Sequence, residues 1–79
     1  MITYIATFFT HFDAISFAKT LHKNGLDAKP MPVPRRLSSS CGTCVKFTSD
    51  ASPLNYKHEG IEQIVSVSED HYQLVWDNR

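Results

Sequence analysis

Ile2-Thr3-Tyr4-Ile5-Ala6-Thr7-Phe8-Phe9 is the stretch on which the fold turns. β-Branched and aromatic residues fill both alternating sets of positions. A strand here has two faces to cover and belongs in the middle of a sheet. Thr10 follows as a helix N-cap, with Asp13 at the third helical position as a short-armed capping box. Phe9, just before the cap, can staple onto Ala14. Ala14, Phe17, Ala18 and Leu21 recur at helical spacing, and Lys19, Thr20 and Lys23 fall on the wet side. His22-Lys23-Asn24-Gly25 is a C-terminal stop, so a helix is expected over residues 11–24.

Leu26 to Pro34 carries Pro30, Pro32 and Pro34. Alternate residues of a strand point their N–H groups toward one edge, so prolines spaced by two blank that edge alone. An edge strand is expected, its outer side closed to further pairing. An unpartnered polyproline segment is the other reading. Val45 to Thr48, close behind, favours the strand. Between them Arg35-Arg36-Leu37-Ser38-Ser39-Ser40-Cys41-Gly42 forms a polar loop that Leu37 can anchor. Ser52-Pro53 suits the start of a short helix, which Gly60 soon ends. Ile61 to Val67 and Tyr72 to Trp76 read as the strands of a C-terminal hairpin, with Tyr72, Leu74 and Trp76 alternating. Ile61, Ile64 and Val65 also fit a helical spacing.

The order β-α-β-β-(short α)-β-β implies an α+β fold. The expected architecture is a ferredoxin-like two-layer sandwich: a mostly antiparallel sheet, one main helix, a short second helix and a C-terminal hairpin. Its second strand lies at an edge, which the prolines demand independently.

The chain has 79 residues, the size of one domain spanning 1–79. Lys+Arg and Asp+Glu number 8 each, so nothing in the net charge attracts nucleic acid. At 42% hydrophobic and 20% charged, the chain can bury a core. No apolar run approaches the ~20 residues of a membrane span. Met1 to Phe9 lacks a basic flank and a small-residue cleavage site, and reads as a strand rather than a signal peptide. A core this small gains from a partner subunit, so a homodimer is compatible with the size. The two cysteines, Cys41 and Cys44, share one tetrapeptide. A bridge across so small a loop would stabilise little, which argues against a disulfide scaffold and for a reducing cytoplasm.

Chemistry is therefore expected at Cys41 and Cys44. A thiolate is favoured by cations and by unpaired backbone N–H groups. Arg35 and Arg36 can supply the cation, and a tight turn through Ser38, Ser39 and Ser40 can converge N–H and hydroxyl donors into an anion-holding nest. Gly42 allows positive φ and leaves the sulfur approachable. Such a setting suits a thiolate, a persulfide or a selenium equivalent. The plainer alternative is two solvated arginines, a flexible serine loop and an inert cysteine. A thioredoxin reading fails, because its CxxC opens a helix whereas Val45-Lys46-Phe47-Thr48 reads as a strand. A zinc site needs four ligands, which one chain does not offer at the usual spacings; a dimer could pool four cysteines. No cofactor is expected. His11, His22, His58 and His71 show no catalytic spacing and read as surface or capping residues.

Thr10 to Gly25, Pro32-Val33-Pro34-Arg35, Leu37-Ser38-Ser39-Ser40-Cys41-Gly42 and Phe47 together resemble the selenium/sulfur carrier-like family of small bacterial domains. The resemblance covers about the first 48 residues. It places Cys41 at the family cysteine and Arg35 at the arginine of the Pro-Arg pair. Cys44 falls where the family often has a small residue, and residues 49–60 leave little room for the family's longer second helix. The resemblance implies a carrier that takes sulfur or selenium on Cys41 as a persulfide or selenosulfide. Arg35 and the serine turn would stabilise the anion, and Cys44 could resolve the loaded Cys41. The implied partners are donor and acceptor proteins, for example a cysteine desulfurase. The alternative is a non-catalytic, redox- or metal-responsive module using the CxxC at a subunit interface.

Overall fold

The computed structural model describes residues 2–37, 41–56, 59–69 and 71–78. Ser38, Ser39 and Ser40, expected in the anion-holding turn, lie outside the described residues. The elements are β1 (Ile2–Phe8), α1 (His11–Lys23), β2 (Ala28–Pro32), β3 (Thr43–Ser49), a 3-10 turn (Pro53–Tyr56), β4 (Ile61–Ser68) and β5 (His71–Asp77). They form an α+β fold whose antiparallel sheet runs β2-β3-β1-β4-β5.

β1 is the central strand, as its two-sided apolar pattern requires. Tyr4, Ala6 and Phe8 face α1, while Ile5 belongs to a second cluster on the opposite, helix-free side. β2 lies at an edge, where Pro30 and Pro32 pair with Val45 and Thr43 on their inner side only. Pro34 falls beyond the strand.

The helix boundaries follow their capping chemistry. Thr10 Oγ1 accepts a hydrogen bond from the Asp13 N–H at 3.1 Å. The Asp13 carboxylate accepts from the Thr10 hydroxyl at 2.7 Å, rather than reaching the backbone as a longer glutamate would. Phe9 remains 38% exposed, and its N–H donates to the Gly60 carbonyl. At the other end Gly25 takes φ +77°. Its N–H donates to the His22 carbonyl and that of Leu26 to the Leu21 carbonyl, so the helix closes in a Schellman motif.

α1 packs over β2, β3 and β1. Phe17 is its central contact, with ring centroids 5.2 Å from Phe8 and 5.5 Å from Phe47. Burying such a ring stabilises the fold by roughly 2–3 kcal/mol. The helix-free side is thinner: Ile5, Cys44 and Val65 are buried, with Met31, Val33, Leu37, Val67 and Tyr72 against them. Leu37 anchors its loop here, as expected.

Two local expectations change and one holds. Ser52 does start a turn, its Oγ accepting from the Leu54 N–H, but only one turn of 3-10 helix follows. Ile61 to Ser68 is a strand, as expected over Ile61 to Val67, and the helical spacing of Ile61, Ile64 and Val65 goes unused. The alternation of Tyr72, Leu74 and Trp76 breaks at Val75. Ile64 pairs with Trp76 and Val65 with Leu74, so one residue of β5 is extra. A single inserted residue turns all that follow onto the other face. Tyr72 accordingly packs on the helix-free cluster and Trp76 on the helix-side one.

Candidate functional site

The link from β2 to β3 ends at a glycine with a specific duty. Gly42 takes φ +74°, and a Cβ there would meet nothing within 4 Å. The glycine is needed for its backbone conformation and not for space. The Gly42 carbonyl accepts from the Val33 N–H at 3.2 Å, which closes the β2–β3 ladder. Cys41 sits at the entrance to this turn and Cys44 inside β3.

The two sulfurs have different surroundings. Cys41 is half-buried and packs against the helix-side cluster. Its thiol donates to the Thr43 carbonyl at 3.4 Å. Cys44 is fully buried in the helix-free cluster, between Met31 of β2 and Thr7 of β1 in the strand register. Its thiol donates to the Pro32 carbonyl at 3.7 Å. Burial pushes the Cys44 thiol up from 9.0 to about 11, and the neighbouring charge of an ionised Cys41 adds to the rise. Neither cysteine takes part in a disulfide.

Arg35 and Arg36 are exposed. They border adjoining grooves beside Tyr72 on the helix-free side, one of them floored by Leu37, Val65 and Leu74. Among the described residues, neither cysteine lines either groove. Gly42 is at the turn beside Cys41, and the serines of the turn are outside the described residues.

His11 is exposed, as its surface reading expects, and the structure gives it a partner at the start of β3. His11, the first residue of α1, brings Nδ1 to 3.0 Å from Thr43 Oγ1. The two are 32 residues apart, so no local motif reports the contact. Topology could have found it. β3 runs antiparallel beside β1, with Thr7 opposite Cys44, so the residues leaving β1 lie over those entering β3. Among the described residues, no three His, Cys, Asp or Glu side chains are grouped to hold a metal ion, and no helix is long and apolar enough to cross a membrane.

No curated protein and no solved structure is matched by this chain. A family described as "Putative Se/S carrier protein-like" matches residues 3–69, which takes in all of α1, the proline strand, the Cys41 turn and β4. With the match spanning most of the chain, including the turn that carries the half-buried cysteine, this protein belongs to that Se/S carrier protein-like family.

Proposed function

We propose that the protein carries sulfur or selenium on Cys41, accepting it from a donor protein and passing it to an acceptor. The observation that carries this reading is the contrast between the cysteines: Cys41 is half-buried at an open turn, while Cys44 is sealed and held as a thiol. Loading is a transfer of sulfane sulfur. Cys41 Sγ attacks the outer sulfur of a donor persulfide, the donor S–S bond breaks, and a new S–S bond forms on Cys41. The donor leaves as a thiolate that takes up the proton Cys41 gives up, so no external oxidant is needed.

Burial of Cys44 has a use in this scheme. A thiol able to reach the loaded Cys41 would form a disulfide and release the cargo as hydrogen sulfide. Cys44 packs on the far side of the sheet and is protonated at neutral pH, which keeps it from the cargo. Ser38, Ser39 and Ser40 belong to the reading as donors to the anionic outer atom, whereas Arg35 and Arg36 border grooves that neither cysteine lines among the described residues. Donor proteins of the cysteine desulfurase type, in a reducing cytoplasm, are the partners it calls for. The strand order β2-β3-β1-β4, with α1 between β1 and β2, supports a ferredoxin-like core in which a 3-10 turn replaces the second helix.

The test is incubation of the reduced protein with a cysteine desulfurase and cysteine, followed by intact-mass measurement. A one-sulfur mass gain that disappears in Cys41→Ser is expected. A protein that gains no sulfur, or gains it equally in Cys41→Ser, refutes the reading.

A further inference from the structure

We propose that Thr43 receives the terminal sulfur or selenium atom of loaded Cys41 and that His11 is its positioning residue; this rests on the carrier reading above. The Cys41 sulfur is held beside residue 43, 3.4 Å from its carbonyl oxygen. The hydroxyl of the same residue is tied to His11, with Oγ1 3.0 Å from Nδ1. Cys41 packs on the helix-side cluster and His11 opens the helix on that side, so sulfur, hydroxyl and imidazole share one face.

The chemistry of the cargo explains why a hydroxyl is wanted. A free thiol satisfies the Thr43 carbonyl as a donor. A persulfide or selenosulfide anion has no proton on Sγ and carries its charge one bond further out, about 2 Å away. A carbonyl oxygen can only accept, so it offers that atom nothing; the Thr43 hydroxyl can donate. When His11 is protonated, Nδ1–H donates to Oγ1 and leaves the hydroxyl hydrogen free to turn to the added atom. When His11 is neutral, the Nδ1–H tautomer keeps this arrangement, whereas in the Nε2–H tautomer the hydroxyl donates to Nδ1 and the added atom loses it. Within two residues of His11 and Thr43 the titratable groups are Asp13, already bonded to Thr10, Cys41 and buried Cys44; beyond them, α1 carries Lys19, His22 and Lys23, β3 carries Lys46, and Glu62 of β4 is bonded to Thr7. The sequence gives His11 no partner; the fold gives it one, at the sulfur-bearing turn.

The experiment loads the reduced full chain with glutathione persulfide and follows the loaded fraction by intact mass. Wild type, Thr43→Val, Thr43→Ser, His11→Ala and His11→Gln are compared, with Cys41→Ser as blank. Thr43→Val is isosteric and keeps the backbone carbonyl. It should hold about tenfold less cargo at equilibrium, the effect of removing one hydrogen bond to a charged atom. Thr43→Ser should restore loading to within about twofold. His11→Ala should fall about threefold and His11→Gln, whose amide can still donate, should recover most of it. His11 is exposed, so its variants keep the fold even where a change at the start of β3 does not. Equal loading of wild type, Thr43→Val and His11→Ala overturns the inference while leaving the carrier reading intact. A wild type that takes no sulfur overturns the reading, and the inference with it.

Discussion

The two sides of the sheet hold the two cysteines in opposite conditions. On the helix side, the aromatic residues Tyr4, Phe8, Phe17 and Phe47 pack together in the larger buried cluster, and Cys41 sits at its margin, half-buried. On the helix-free side, a thin cluster around Ile5 and Val65 is roofed by the loop residues Val33 and Leu37, and Cys44 lies sealed within it. The thick core thus has a thiol at its open rim, whereas the thin core hides one at its centre. A small domain can keep one sulfur reachable without loosening its main packing, provided the other sulfur is used as a small hydrophobe.

The largest effect should come from thinning the thick side. Phe17→Ala removes the ring between Phe8 and Phe47 and should cost about 3–5 kcal/mol in chemical denaturation. A loss under about 1 kcal/mol would mean that the helix side is not the main core.

Next comes the pH dependence of the thin side. The folded state keeps the Cys44 proton up to about 11, whereas the unfolded chain releases it near 9.0. The unfolded state then binds fewer protons than the native one, so stability falls as pH rises through that window. The stabilisation is fully present below pH 9 and is lost by about 11, amounting to roughly 3 kcal/mol. Denaturation midpoints of wild type and Cys44→Ala, compared across this range, should converge as the wild-type advantage disappears. Parallel curves would show that Cys44 is not sealed.

Reactivity reads the same contrast directly. At neutral pH, the shift on Cys44 leaves it about a hundredfold less thiolate than an ordinary thiol, and burial blocks access to what remains. Iodoacetamide should therefore modify Cys41 first, by about a hundredfold in rate, as mapped by peptide mass. Faster labelling of Cys44 would reverse the assignment of the two sides.

The smallest effect concerns the arginines. Their grooves on the helix-free side include neither cysteine among the described lining residues. Substituting both with alanine should change the alkylation rate of Cys41 by less than about twofold at physiological salt, where a Debye length of ~8 Å screens remote charges. A tenfold fall would bring the guanidinium groups back to the sulfur.

Much of the fold was legible because its signals are local. Thr10 and Asp13 mark a helix start by side-chain reach, and Gly25 marks its end by φ +77°. The proline spacing places β2 at an edge because a missing N–H acts on one side of a strand. What escaped was non-local or a matter of one residue. The bulge at Val75 leaves no composition signature, yet it sends Trp76 and Tyr72 to opposite faces. At the candidate site, the turn with Cys41 and Gly42 was legible, and so was the anchoring by Leu37. The pairing of His11 with Thr43 was not, because it depends on which strand lies beside β1.

By itself, the sequence determined a central strand, a capped helix, a proline-closed edge and a cysteine turn, since each is written in neighbouring residues whose chemistry acts over a few ångströms. Only the tertiary structure decided what surrounds each sulfur. Burial and side-chain partners come from elements distant in the chain: Ile5 and Val65 seal Cys44, while β3 beside β1 brings His11 to Thr43 near Cys41. Two cysteines in one tetrapeptide look alike in sequence and become unlike when the sheet assigns them to different sides.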